Sequence, residues 1–534
     1  MYSECLPFAR IPHTSKLFND YLHDFQQVAS FYPRPPHPAE WLQDEASRVS
    51  YDPQRRAALA DVLEAQNRRF GAGQKTLESL DRFRRGALAS VTGQQVGFLG
   101  GPLFSILKAL SAVRLADHAR GANIDCVPVF WLATEDHDFE EIKSAVIQDA
   151  DGGLHTVSLD AEHRPGAAVR TVVLPESITD SIEHVAQLLG DAETGNLIRE
   201  AYRPGVTVGD AFAFLFTKLF AEFGVIMLDA SDPALHRLAA PLYREAIRHA
   251  RDIDALLLER GKQLHSAGYH EQVKVTPSST LLFGTVDGAR IPIHLSNGKF
   301  VIGSESLTAE ELELRIQTDP ASFSPNVLLR PVVQDYLLPT LAYSGGPAEV
   351  AYFAQAAVVY ESLAGRVTPV LPRFSATVID PRARRILDRY KISLLDIFEG
   401  PDHTSELLAS RSLPSDLKSA FAHAGDLLKE ALTEVAAPLK ILDPTLVEAS
   451  ERAGSKMRFQ LERLHKRAAS AELRRSEIVA RQASHLNSSL FPNKDLQERV
   501  IAGISFVARF GTPLLDTLYE AAQQECLDHQ VIYM

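Results

Sequence analysis

An α/β protein built on one doubly wound core, broken by insertions and followed by a long helical tail, is what this sequence predicts. Three observations predict it. A strand, glycine loop, helix and strand follow one another between Ala87 and Ala133. A second glycine turn, Gly345-Gly346-Pro347, closes another apolar run. No proline occurs between Pro444 and Pro492, in a stretch rich in Ala, Leu, Glu and Arg. At 534 residues the chain exceeds a single core of about 150 residues, so several units or one large core with insertions are expected.

Composition narrows the class. Hydrophobic residues make up 45% and charged residues 23%, with 30 Gly and 30 Pro, which excludes a disordered, collagen-like or disulfide-scaffold chain. Lys and Arg number 55 against 68 Asp and Glu, a net charge of −13, so there is no overall basic footprint for nucleic acid. Cys5, Cys126 and Cys526 are odd in number and far apart, with no CxxC or zinc-finger spacing. They are expected to be thiols in a reducing compartment. The start of the chain lacks the charged lead and apolar stretch of a secretory signal. The most apolar stretch, 211–230, is interrupted by Lys218, Glu222 and Asp229, so it reads as a buried helix and strand, not a membrane span. A soluble, cytoplasmic protein with neither nucleic-acid nor membrane partners is expected.

The elements follow in order. Residues 1–85 form an N-terminal helical segment packing on the core, with a proline-rich break at 33–38 and a polar helix over 53–85. The core begins over 86–142. Ala87-Leu-Ala-Ser-Val-Thr92 reads as a buried strand, Gly93 to Pro102 as a turn, 103–119 as a helix and Val127 to Ala133 as a second strand. Such crossovers are right-handed, with parallel strands. Residues 143–203 are a hairpin-like insertion. The core continues over 204–278, with a strand at 225–228 and a long helix over 233–267. Residues 279–326 are a β-rich insertion whose turns are Asp287-Gly288 and Asn297-Gly298. Over 327–398 the core resumes with a strand at 340–343, a helix through Leu363 and a strand near 369–379. The tail, 405–490, is a helical hairpin or coiled coil. Apolar residues there recur at threes and fours (Ala453, Met457, Leu461, Leu464, Ala468), and a fully helical 444–492 would extend roughly 70 Å. Residues 491–534 return to the core through Phe506, Phe510, Leu514 and Leu518.

The glycine loop is the first candidate site. Gly93, Gln94, Gln95, Gly97, Gly100 and Gly101 could offer backbone N–H groups to an anion at a helix start. The spacing is neither a P-loop nor GxGxxG, and a plain tight turn is the competing explanation. Ser344, Gly345 and Gly346 form a comparable turn, and two such turns at strand ends of one sheet would flank a ligand crevice. Glu135, Asp136, His137 and Asp138 end a strand. They could hold an ammonium group, coordinate Mg²⁺ or supply a general base, or they could simply cap a helix. Zinc is disfavoured, for want of a second histidine at helical spacing. Lys108, Arg330 and Arg373 are the basic candidates. No Gly-x-Ser-x-Gly occurs, and Cys126 at a strand's start is expected to be buried and inert. Nine basic residues face four acidic ones between Glu451 and Arg481, a solvated helix face or an anion-docking surface.

Four runs carry a resemblance: Val91-Thr-Gly-Gln-Gln-Val-Gly-Phe-Leu-Gly-Gly-Pro-Leu-Phe104, Val127-Pro-Val-Phe-Trp-Leu-Ala-Thr-Glu-Asp-His-Asp-Phe139, Pro372-Arg-Phe-Ser375 and Phe491-Pro-Asn-Lys-Asp-Leu-Gln-Glu-Arg499. Together they make the chain similar, over essentially its whole length, to the cysteine ligases of bacillithiol biosynthesis. The resemblance implies a Rossmann-like core with inserted connecting domains and a coiled-coil homodimer. It also implies a ligase adding cysteine to glucosaminyl malate, for which ATP is the expected co-substrate. It supplies no catalytic residues. In one place the chain departs from the family pattern: Lys494 stands where a glycine is expected after Pro492-Asn493. Two other functions fit the residues: a nucleotidyltransferase or nucleotide-binding protein acting on another anionic metabolite, and a coiled-coil scaffold without catalysis.

Overall fold

The computed structural model describes residues 2–534, with side chains from residue 3. The chain forms two compact units. One takes the residues up to Thr377 together with Glu498–Ile532, and the other takes Val378–Gln497 and the last two residues.

At the centre of the first unit lies a five-stranded sheet in which every pairing is parallel. Across the sheet the strands run Val370–Pro372, Thr340–Gly345, Leu88–Gln94, Cys126–Leu132 and Ile226–Asp229. Numbered along the chain, this is the order 5-4-1-2-3 of a Rossmann-like, doubly wound sheet. The order reverses between the first and fourth strands, and in open α/β sheets ligands bind outside the strand C-termini at that point. The strands are nearly continuous apolar runs because both sheet faces are covered; Cys126–Leu132 is buried at every residue. Cys126 is fully buried there, and burial pushes its thiol up to about 12, so it is inert.

Helices connect the strands. Phe104–Gly121 follows the first, and Pro347–Leu363 follows the fourth. The helix expected over 53–85 is two, Pro53–Arg69 and Gln74–Arg85, because Gly71 at φ +75° ends the first. The helix expected over 233–267 is also two, Pro233–Arg248 and Ala250–Ser266, breaking at His249. A separate antiparallel sheet is built from residues 279–325, in the order Glu305–Leu307, Lys299–Ile302, Ala289–Ser296, Ser279–Val286 and Phe323–Pro325. Asp287-Gly288 and Asn297-Gly298 turn its hairpins with positive φ at both positions, the twist that matches flanking strands.

The expectation of three thiols is corrected. Cys5 and Cys526 form a disulfide with their Cα atoms 6.1 Å apart. They are 521 residues apart in sequence, so only the folded unit brings them together.

The second unit is helical. Ser415–Leu442 and Thr445–Arg475 pack antiparallel around a turn in which Asp443 accepts both the N–H and the hydroxyl of Thr445. A Cβ at Gly454 would lie 2.6 Å from Leu432, so glycine sets how closely these helices approach. The proline-free stretch is interrupted at Ser476, whose side chain caps the next helix, Glu477–Leu490. Among the described residues, no helix is long and apolar enough to cross a membrane.

Candidate active site

A cavity of about 600 Å³ opens at the reversal point of the parallel sheet. Residues at or just beyond four strand ends line it: Gly93–Gln95, Glu135 with Asp136, Gly346, and Arg373. Thr92 ties the two central strands together by donating its hydroxyl to the Ser344 carbonyl at 2.8 Å.

Lys108 projects from the first helix into this seam. Its Nζ donates to the Gly93 carbonyl and to Gln94 Oε1, both at 2.8 Å, and pairs with Glu349 Oε2 at 2.5 Å. Glu349 lies three residues after Gly346, accepts the Gly346 N–H at 2.7 Å and the Tyr343 hydroxyl at 2.5 Å. Burial lowers the Lys108 pKa, against the pull of Glu349. Burial raises the Glu349 pKa, but Lys108 beside it wins and holds it below the usual range. The result is a neutralised pair bridging both glycine turns.

Arg373 donates Nη2 to Glu498 Oε1 at 2.6 Å and Nη1 to the Phe374 carbonyl at 2.8 Å. Glu498, fully buried, also accepts the Ser375 hydroxyl and the Ala376 N–H, both at 2.9 Å. Arg330 donates to Gln334 Oε1 at 3.1 Å and to the Tyr352 hydroxyl at 3.0 Å. Its guanidinium lies 5.2 Å from the Tyr343 ring centroid.

The acidic cluster divides. Glu135 lines the cavity, and its Oε1 lies 3.2 Å from Nε2 of buried His236, without hydrogen-bond geometry. Burial pushes the Glu135 carboxyl up to about 8, against the opposing charges of Arg290 and Arg170. Burial pushes His236 down to about 4, so the ring stays neutral. Asp136 lines the cavity and accepts the His137 N–H at 2.7 Å. The other two catalytic candidates, Asp138 and His137, do not line the cavity. Asp138 caps the short helix Phe139–Ile142 by accepting the Glu141 N–H at 3.1 Å, and His137 is exposed, 3.4 Å from Arg290 Nη1.

Three of the candidate glycines, Gly97, Gly100 and Gly101, lie outside the cavity as well. Gly100 donates its N–H to the Tyr202 hydroxyl at 3.2 Å, and the Gly101 carbonyl accepts the Gly503 N–H at 3.0 Å. These residues form the turn that enters the helix, and packing occupies their backbone groups. Ser344 and Gly345 are likewise buried in the strand behind the wall, where Gly345 accepts the Arg373 N–H at 2.8 Å.

Sequence reasoning missed Arg290, Glu349, Glu141, His236 and Glu498. Glu349 had a signal, since a Glu at the third helical position after Gly346 is a capping-box pattern. Arg290 had none: it sits on a hairpin strand, where its partners Ser324 and Pro325 lie more than 30 residues on. Among the described residues, no group of three or more His, Cys, Asp or Glu side chains is arranged to hold a metal ion.

The family model described as "Bacillithiol biosynthesis BshC, N-terminal Rossmann-like domain" matches residues 1–374. That described as "Bacillithiol biosynthesis BshC, C-terminal coiled-coil domain" matches residues 376–534. A relative from Koribacter versatilis is 46% identical, with all of both chains covered. One from Solibacter usitatus is 36% identical, again over the full length of both, and one from Salinibacter ruber is 32% identical over 97% of this chain and 96% of its own. All three carry the name "Putative cysteine ligase BshC". A Rossmann-like core, a helical tail and matches spanning the chain agree: this protein belongs to the BshC family of bacillithiol biosynthesis.

Proposed function

We propose that this protein is a ligase that joins the carboxyl of cysteine to the amine of glucosaminyl malate, with ATP as co-substrate. The observation that carries the reading is the cavity at the sheet's reversal point, where a buried carboxyl with its pKa near 8 shares one wall with several cations. A carboxylate does not react with an amine unaided. The carboxylate oxygen would attack ATP at its γ- or α-phosphorus, breaking the bridging P–O bond and releasing ADP or pyrophosphate, to leave an acyl phosphate or an acyl adenylate. The amine nitrogen then attacks the acyl carbon, the C–O bond to the leaving group breaks, and Glu135 accepts the proton released from nitrogen. A base with its pKa near the working pH suits that step. Asp136 and Glu141 supply negative charge for the ammonium group of cysteine, and the basic side chains meet the charge of carboxylate and phosphate.

The reading includes a cytoplasmic homodimer formed through the tail. Met457 and Leu464 are 50% and 56% exposed, and such stripes mark interfaces. The test incubates the protein with cysteine, glucosaminyl malate and ATP. Nucleotide consumption that requires both other substrates, with one cysteinyl amide formed per nucleotide, is the expected result. Nucleotide turnover indifferent to cysteine would instead favour a nucleotidyltransferase, and none at all would favour a scaffold.

A further inference from the structure

Five basic side chains line the cavity, and four of them, all but Arg499, fall into two kinds. Lys108 and Arg373 are ion-paired with carboxylates of the protein itself, Glu349 at 2.5 Å and Glu498 at 2.6 Å. Arg290 and Arg330 are not. Arg330 is held by the amide of Gln334 and the hydroxyl of Tyr352. Arg290 is held by the Ser324 hydroxyl at 2.8 Å and the Pro325 carbonyl at 2.5 Å, stacks 3.9 Å from the Phe283 ring centroid and approaches His137 at 3.4 Å. Neither guanidinium has a carboxylate within 4 Å among the described residues. Glu135 and Asp136, on the same wall, are the acidic groups felt by Arg290 at longer range. A guanidinium cannot shed its proton to escape burial, so two that are held by neutral groups keep their charge and favour a counter-ion.

The two arginines also grip one turn. Pro325, Asn326 and Val327 all line the cavity. Arg290 donates to the Pro325 carbonyl, the Arg330 N–H donates to the Asn326 carbonyl at 2.8 Å, and Asn326 Oδ1 accepts the N–H groups of Leu328 and Leu329. One arginine comes from the antiparallel sheet and the other from the helix Arg330–Leu337 that feeds the parallel one.

We infer that Arg290 and Arg330 form an oxyanion subsite, taking a carboxylate or phosphate group of a substrate, whereas Lys108 and Arg373 hold the wall together. Only the identity of the anion rests on the ligase reading. The subsite explains why a β-rich insertion reaches the Rossmann-like core: it delivers a guanidinium that the parallel sheet does not carry.

Calorimetric titration tests this directly, with L-malate as the carboxylate probe and ATP or pyrophosphate as the phosphate probes. The wild type should bind at least one probe class at millimolar concentration or better. Arg290→Gln and Arg330→Gln should each weaken that binding by about tenfold or more. Arg290→Lys, which keeps the charge but not the fork, should fall between and serves if Arg290→Gln does not fold. Loss confined to malate assigns a carboxylate, and loss confined to ATP and pyrophosphate assigns a phosphate. Undiminished binding in folded Arg290 and Arg330 variants overturns the subsite, as does a wild type that binds no probe. Because binding is read without turnover, a chain that binds malate through these arginines yet ligates nothing sinks the ligase reading alone.

Discussion

Glu135 pays for its place in the wall. Its carboxyl is destabilised as an anion by burial, and the pKa near 8 means that the native state holds a proton the unfolded chain releases above about 4.5. The sign follows. This stability is complete below the unfolded value and is lost as pH rises through about 8. Glu135→Gln should therefore unfold at a higher temperature than the wild type above pH 8, with the gap closing toward pH 4, as thermal melts would register. Reactivity runs the other way. Base strength appears only as the carboxyl ionises, so kcat/KM should climb with pH and level off above about 8, and the variant should lack that limb. A wild-type profile flat from pH 6 to 9 would remove Glu135 as the base. Glu135 and Asp136 were legible as candidates because acids after an apolar strand stand at a sheet's ligand-binding end. Arg290 was not legible, since nothing local to a hairpin strand tells which wall its side chain reaches.

At the scale of elements, the glycine turn shows how one pattern supports two explanations. Gly100 and Gly101 have φ of +85° and +70°, and a Cβ at Gly100 would lie 3.2 Å from Leu215. Their glycine character thus serves backbone conformation and packing. Gly100→Val should lower stability by about 1–3 kcal/mol, while the folded fraction turns over normally. Denaturant titration beside the steady-state assay separates the two; unaltered stability with lost activity would return the turn to the site. Lys494 makes the converse point in the second unit. It adopts φ +61° directly after Asn493 at φ +55°, a conformation glycine accepts freely. Lys494→Gly should raise stability by roughly 1 kcal/mol, the strain relieved less the added chain entropy. Strand, turn and helix types were readable because periodicity and turn residues are local. The breaks at His249 and Ser476 were not, because neither residue is a strong helix breaker.

For the whole molecule, two properties follow from residues that only the folded chain brings together or leaves bare. The Cys5–Cys526 disulfide joins the strand that holds Cys5 to a loop near the other end of the first unit. Thiol titration of protein unfolded without reductant should find one thiol, Cys126, and three after reduction; three at the outset would exclude the bond. The exposed Met457 and Leu464 of the tail should pair in a twofold assembly. Light scattering should give twice the 58.8 kDa chain mass, falling to one with Met457→Asp and Leu464→Asp combined. A monomeric wild type would refute the dimer.

We propose that ligation occurs in the cavity at the sheet's reversal point, with Glu135 as base. The direct measurement is cysteinyl-amide formation by mass in a single turnover with ATP and glucosaminyl malate. It compares wild type, Glu135→Gln and Asp138→Asn, the last keeping a residue suited to the helix cap. Product is expected from the wild type, with a rate lower by about 10²–10⁴ in Glu135→Gln and close to wild type in Asp138→Asn. Equal rates in all three, or a wild type that forms no amide, would contradict it.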